Sequence, residues 1–170
     1  ANQDVTSKGP LFKKAWADRY KAILEYRPKH ALADVDAATG TLKFEFNDDL
    51  KVQVLNVVPP QRAGDIAHNA GLTTANKRWC EVDWLTMESK AAPGIHILGD
   101  ALQIAPGMPK SGHMANQHGK TCAAAVVSLL QGKEPPQLPI YANTCYSFVT
   151  DEDVVHVASV HRYDAEKKTM

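Results

Sequence analysis

Pro93-Gly94-Ile95-His96-Ile97-Leu98-Gly99-Asp100-Ala101 is the stretch on which the reading of this chain turns. Gly94 to Leu98 is a short apolar run that stops abruptly at Gly-Asp, which predicts a buried strand followed by a sharp turn. A glycine at such a turn lets a ligand approach the backbone closely. An aspartate at the carboxyl end of a parallel strand lies where open α/β sheets bind ligands, and its carboxylate can accept hydrogen bonds from polyol hydroxyls. The plainer reading is that Asp100 only caps the loop. Downstream, a Pro- and Gly-rich loop from Gln103 to Pro109 leads into the longest predicted helix, about Ser111 to Leu130, closed by Gly132. Its small residues, Gly112, Ala115, Gly119 and Ala123 to Ala125, allow it to lie close to a sheet or a cofactor.

Upstream of that string the patterning alternates between types. Leu11, Phe12, Ala15, Trp16 and Tyr20 recur near helical spacing after Pro10, which predicts a helix over about Pro10 to Tyr20. Ala31 to Val35, a turn at Ala37-Ala38-Thr39-Gly40, and the alternating Thr41 to Phe46 predict a small β-meander. Val52 to Val58, more continuously apolar, predicts a strand buried on both faces and stopped at Pro59-Pro60. Arg62 to Ala70 reads as a short helix ended by Gly71, and Trp79 to Asp83 as a short strand. Beyond the proline-rich connector Lys133 to Pro139, Tyr141 to Arg162 reads as two strands around Asp151-Glu152-Asp153.

Composition narrows the function classes. With 170 residues, 44% hydrophobic and 22% charged, the chain can bury a core and does not resemble a disordered sequence. Its formal net charge is zero and it carries no basic stripe, which argues against nucleic acid as a partner. No apolar run reaches the ~18 residues of a membrane span. Ala1 to Asp4 provide neither the basic start nor the apolar stretch of a signal peptide. Cys80, Cys122 and Cys145 form neither a CxxC pair nor a c-type haem motif.

The string from Pro93 to Ala101 resembles the second FAD-binding motif of the two-dinucleotide-domain flavoproteins, with Asp100 at the position that binds the ribityl chain. Val54 to Pro60 and Cys80-Glu81-Val82-Asp83 resemble elements that precede it in the same order. More narrowly, several segments resemble the flavoprotein family of flavocytochrome c sulfide dehydrogenase. They are Val5-Thr6-Ser7-Lys8-Gly9 leading into Leu11 to Trp16, Val58 to Gly64, Met108-Pro109-Lys110-Ser111 and Asn143-Thr144-Cys145-Tyr146-Ser147. The expected fold class is therefore α/β, a partial two-dinucleotide-binding-domain flavoprotein fold. It combines a β-meander, a long Ala-rich helix and the start of a C-terminal β interface domain. The expected division is 1–82 for the remainder of the second dinucleotide-binding domain, 83–140 for the C-terminal part of the FAD-binding domain, and 141–170 for the flavin-covering domain.

The resemblance also implies roles for single residues. Gly99, Asp100, Pro109, Lys110 and Ser111 are expected to bind FAD. Cys145 is expected to be half of a redox disulfide beside the flavin, against the plainer reading of a buried structural thiol. The N-terminus of the long helix, with Lys110 before it, is expected to face the flavin and stabilise charge gathered on reduction. The implied parent protein is periplasmic, oxidises sulfide, and passes electrons to a c-type cytochrome subunit. The family's G-x-G-x-x-G turn does not occur in the chain, and neither do the early cysteines that attach FAD and pair with Cys145. The sequence is therefore expected to be a piece of the parent, inactive alone, retaining FAD poorly and self-associating through uncovered apolar surface. A pyridine-nucleotide-dependent disulfide reductase, a sulfide:quinone oxidoreductase and a non-catalytic interaction domain remain open alternatives. Metal binding is not expected, since His113 and His118 lack ligand spacing. A Cys80–Cys122 bridge is left open.

Overall fold

The structure is a computed structural model that describes Asp4 and residues 8–170; the Val5-Thr6-Ser7 segment of the family resemblance lies outside the described residues. By its internal contacts the chain divides into two compact units. The first comprises residues 1–59 and 146–157, and the second comprises 60–145 and 158–170.

In the first unit, α1 spans Gly9–Arg19. Pro10 sits in its first turn, where no backbone N–H is needed and the fixed φ suits a helix, and Arg19 lies in the last turn near the negative end of the helix dipole. Phe12 and Trp16, one turn apart, stack with ring centroids 5.7 Å apart, and Tyr26 lies 4.9 Å from Trp16. An antiparallel meander follows: β1 (Leu32–Asp36), β2 (Thr41–Phe44) and β3 (Leu50–Lys51). β1 and β2 pair Val35 with Leu42 and Asp36 with Thr41, with an irregularity between Leu32 and Asp34. The Asp36 carboxylate accepts the Ala38 and Thr39 amides and so folds the chain back on itself. Gly40 completes the turn at φ +69°, and its carbonyl accepts the Val52 N–H at 2.9 Å.

The second unit holds most of the fully buried side chains. Its core gathers Val82, Trp84, Met87, Leu102, Met108, Met114 and Tyr141, with a smaller cluster of Ala63, Ala67, Leu72 and Cys80. The Tyr141 hydroxyl, buried with its ring, donates to the Trp84 carbonyl at 3.1 Å. α2 is short, Asp65–Asn69, and Gly71 at φ +72° follows it. A 3₁₀ turn occupies Gly99–Ala101. The long helix, α3, spans Gly112–Leu130, with Ser111 as its N-cap and Gly132 at φ +67° beyond its end. Its buried residues Met114, His118 and Ala125 recur at helical spacing, so one stripe faces the core.

β4 (Ile140–Phe148) and β5 (Val154–Arg162) form a two-stranded sheet, as the sequence predicts. The long helix, the meander and this hairpin all stand within about two residues of their expected places. Three expected strands do not form. Trp79 to Asp83 makes only isolated bridges, Trp79 with Ala75, Cys80 with Leu102 and Val82 with Ser89. After β3 the chain from Val52 to Val58 runs without a ladder, and Val54 and Val58 are exposed. Its apolar run has no neighbouring strand among the described residues, and hydrophobicity without a pairing partner does not make a strand. Ile95 to Leu98 likewise carries only an isolated bridge between Glu88 and His96, with Ile95 and Leu98 at the surface. The expected dinucleotide-binding sheet is thus reduced, among the described residues, to one parallel bridge between Cys80 and Leu102. What stands is a mixed assembly of helices and small sheets. No helix among the described residues is long and apolar enough to cross a membrane.

Gly40 gives the fold a direct test. A Cβ at this position would face the Val52 carbonyl oxygen at 2.5 Å, and the left-handed backbone costs an L-residue about 1–2 kcal/mol. Gly40→Ala is therefore expected to destabilise the meander by at least that amount. Denaturant unfolding followed by circular dichroism measures it, and an unchanged midpoint would mean the turn is not held as described.

Candidate functional site

The site residues expected from sequence all lie in the second unit, and they converge on the start of α3. Leu98 is extended, and the chain then reverses at Gly99 with φ +73°. Gly99 is buried, and a Cβ added there would lie 3.4 Å from the Ala115 methyl, an ordinary contact. The left-handed conformation, more than lack of space, therefore makes glycine the fitting residue. The Gly99 N–H donates to Nδ1 of His118, on the core stripe of α3, at 3.2 Å. With Nδ1 as acceptor, the neutral ring carries its hydrogen on Nε2. That nitrogen is buried with no hydrogen-bond partner. The His118 ring meets Tyr141 edge to face at 5.2 Å and lies 5.8 Å from Trp84, so aromatic faces surround an orphan N–H and provide at best a weak acceptor. Burial pushes the His118 pKa down to about 4; the nearby Asp100 charge opposes this, and Lys110 adds to it.

The same turn is held from its carbonyl side. The Lys110 ammonium donates to the Asp100 carbonyl at 2.7 Å and to the Leu102 carbonyl at 2.5 Å. It also stands 3.6 Å from the centre of the Trp79 ring, a close cation–π contact. Burial lowers its pKa, while the charge of Asp100 works against that shift. Lys110 thus spans from the approach to α3 back to the 3₁₀ turn. Asp100 itself is exposed, and its carboxylate accepts no hydrogen bond from any described residue.

Pro109, half-buried, leads the chain into Ser111. The extended backbone of Ser111 (φ −159°, ψ 155°) lets its Oγ accept the Met114 N–H at 3.1 Å, an N-cap. The same hydroxyl donates to Oδ1 of Asn143 on β4 at 2.6 Å. Asn143 is 2% exposed, and its Nδ2 lies 3.4 Å from Sγ of Cys145. The Thr144 N–H between them donates to Nδ1 of His113 in the first turn of α3, at 3.3 Å. The segment Asn143-Thr144-Cys145 is therefore fastened to the helix N-terminus through two side chains.

All three cysteines are free. Cys80 is fully buried, and burial raises its pKa, with Lys110 opposing. Cys122 is half-buried against the core, and burial raises its pKa too. Cys145 is half-buried at the end of the segment just described. No group of histidine, cysteine and carboxylate side chains among the described residues could hold a metal. A separate cleft of about 210 Å³, lined by Glu81, Trp84, Lys90, Gln103, Lys167 and Lys168 among others, contains none of the expected site residues. It is smaller than ordinary ligand pockets of about 300–1,000 Å³.

Sequence reasoning picks out Gly99, Asp100, Pro109, Lys110, Ser111 and Cys145 but passes over the residues that connect them. His118 is weighed only as a metal ligand. Its signal is a polar ring on the stripe shared with Met114 and Ala125. Asn143 enters only as part of a family segment, and its alternation with buried Tyr141 places it on the inward face of β4. Trp79 gives no pattern that foretells a lysine above it.

Two family models match the chain. One, described as flavocytochrome c sulphide dehydrogenase, flavin-binding, matches residues 137–170 and so contains Asn143 and Cys145. The other, described as the central part of the sulfide dehydrogenase [flavocytochrome c] flavoprotein chain, matches residues 1–59. Together they account for more than half of the 170 residues.

His118 makes the stability of this region pH-dependent. In the unfolded chain its ring takes a proton near pH 6.5, whereas in the folded chain it does so only near 4. Between those values the unfolded state binds the extra proton. The stability contributed by the neutral ring is present above about 6.5 and is lost as pH falls towards 4, by about 1.4 kcal/mol for each pH step of one within that window. Below 4 the loss levels off. His118→Gln, which keeps an acceptor but does not titrate, is expected to flatten this slope in denaturant unfolding measured from pH 7 to 4. Parallel curves for the two proteins would show that His118 is not buried in neutral form.

Proposed function

Because the chain belongs to the flavocytochrome c sulphide dehydrogenase flavoprotein family, we propose that it carries the ribityl-binding turn and one redox sulfur of an FAD-dependent sulfide dehydrogenase. The parent is a flavoprotein oxidoreductase, and FAD is its cofactor. In this reading a c-type cytochrome subunit accepts the electrons, and the compartment is the periplasm, which permits a redox disulfide. The expected assignment of residues 1–82, 83–140 and 141–170 to three domains of the parent belongs to the same reading.

One observation carries it. The Gly99–Asp100 turn and the Cys145 segment are both fastened to the first half of α3, through His118 and through Ser111 and His113. A cofactor-binding turn and a redox sulfur must share a rigid support if electrons are to pass between their ligands. The residues present fit a flavin. Gly99 gives a turn without side-chain bulk, and the exposed carboxylate of Asp100 is free to accept ribityl hydroxyls. The capped helix start presents further N–H groups and positive potential. FAD, when bound, supplies the two-electron acceptor.

The chain's own contribution to catalysis lies in Cys145 and its supports. In the proposed step a hydrosulfide sulfur attacks a disulfide formed by Cys145 and a second cysteine outside these 170 residues. A new S–S bond forms to one cysteine as the cystine bond breaks, and the other cysteine leaves as a thiolate that retains the electron pair. Asn143 faces the Cys145 sulfur with both a donor and an acceptor. Lys110 acts on the backbone, holding the Asp100 and Leu102 carbonyls so that the turn keeps its shape. It affects the flavin through position, in addition to whatever long-range charge it contributes.

The test is Asp100→Ala in the full-length parent protein. Loss of more than half of the bound flavin absorbance, with thermal stability changed by less than about 0.5 kcal/mol as for an ordinary surface substitution, is the expected result. Stoichiometric flavin in a markedly destabilised variant would instead make Asp100 a loop cap.

A further inference from the structure

We infer that Asn143 is a positioning residue for Cys145, set by Ser111 so that one amide serves the sulfur both as thiol and as thiolate. The inference rests on the proposed redox role of Cys145. Asn143 and Cys145 both lie within the stretch that matches the flavin-binding family model.

Asn143 is 2% exposed, and a primary amide hidden to that degree must find partners or destabilise the fold. Its Oδ1 accepts the Ser111 hydroxyl at 2.6 Å. Ser111 Oγ already accepts the Met114 N–H, and its single hydrogen is directed to Asn143. The oxygen of the amide is thereby assigned to the Ser111 side and the NH₂ group to the remaining side. Sγ of Cys145 lies 3.4 Å from that Nδ2 and 3.7 Å from Oδ1, within hydrogen-bond reach of sulfur for both.

The consequence is chemical. A thiol can donate its hydrogen to Oδ1. A thiolate has none to donate, but it can accept a hydrogen from Nδ2, and such a bond to a charged acceptor is stronger than one between neutral groups. Conversion between the two states therefore needs no rearrangement of Asn143. Behind the amide, the hydroxyl of Ser111 connects it to the free N–H end of α3, whose potential favours negative charge. A structural asparagine would only tie β4 to α3. A positioning asparagine also changes the chemistry of the sulfur.

The experiment measures alkylation of the 170-residue chain by iodoacetamide as a function of pH, with the rate at each cysteine read by mass spectrometry. Cys80, fully buried, reports folding through its protection, and Cys122 serves as an internal reference. In Asn143→Ala the pH–rate profile at Cys145 is expected to move up by roughly one pH unit, as for loss of one hydrogen bond to a charged group. Asn143→Asp, which keeps the shape but replaces the donor with a negative charge, should move it further. Ser111→Ala leaves the amide in place but frees its orientation, so it should move the profile in the same direction by less, and Ser111→Thr should restore it. If Cys80 becomes reactive in both Asn143 variants, the Ser111 pair decides the question. Profiles at Cys145 within about 0.3 pH of wild type, well inside the change expected for one lost bond, in variants that still protect Cys80, would overturn the inference while leaving the redox reading of Cys145 intact. If Cys145 in the unmodified chain labels no faster than Cys80, the redox reading itself fails, and this inference fails with it.

Discussion

A buried peptide N–H must find an acceptor, and at Gly99 the acceptor is a ring nitrogen of His118 one and a half turns into α3. Much of the second unit follows from that bond. It fixes the tautomer of His118 and directs its other N–H into the aromatic core between Trp84 and Tyr141. It keeps the Gly99–Asp100 turn against the helix, close enough that a Cβ added at Gly99 would lie 3.4 Å from the Ala115 methyl. Lys110 completes the fixture by holding the carbonyls of the same turn. The turn is thus held by a neutral imidazole on one side and a half-buried ammonium on the other, while its carboxylate is exposed.

The second half of the arrangement is the cap of α3. A helix start leaves N–H groups unsatisfied, and Ser111 answers one of them while passing its own hydrogen to Asn143. The strand carrying Cys145 is thereby fixed to the same helix that supports the Asp100 turn. One element therefore orders two segments more than 40 residues apart in sequence. This economy suits a cofactor site, because a rigid helix transmits position better than a loop does. It also accounts for the small residues of α3. Ala115 gives the turn room to approach, where a larger side chain would hold it away.

How far the sequence reveals this depends on whether the signal is local. α3 is legible because a cap, a small-residue stripe and a closing glycine all lie within its own residues. The β4–β5 hairpin is legible for the same reason, from alternation on either side of Asp151-Glu152-Asp153. The strands expected at Val52 to Val58 and Ile95 to Leu98 fail because a strand is a property of two segments, and only one is visible in each run. Asp100 and Cys145 are found through family resemblance. The side chains that join them, His118 and Asn143, act through contacts across 19 and 32 residues. No periodicity or motif encodes such pairings.

Amide hydrogen exchange at Gly99, Met114 and Thr144 tests most directly whether α3 organises the site, because each of these N–H groups donates to a side chain of α3 or its cap. If it does, all three are protected and exchange with a common opening free energy, as one cooperative unit. Ala125→Pro, which breaks the helix at a buried position, is then expected to release all three together. Gly99 or Thr144 exchanging at the rate of an exposed amide while α3 stays protected would show that the turn and the cysteine strand are not held by the helix, and that α3 does not organise the site.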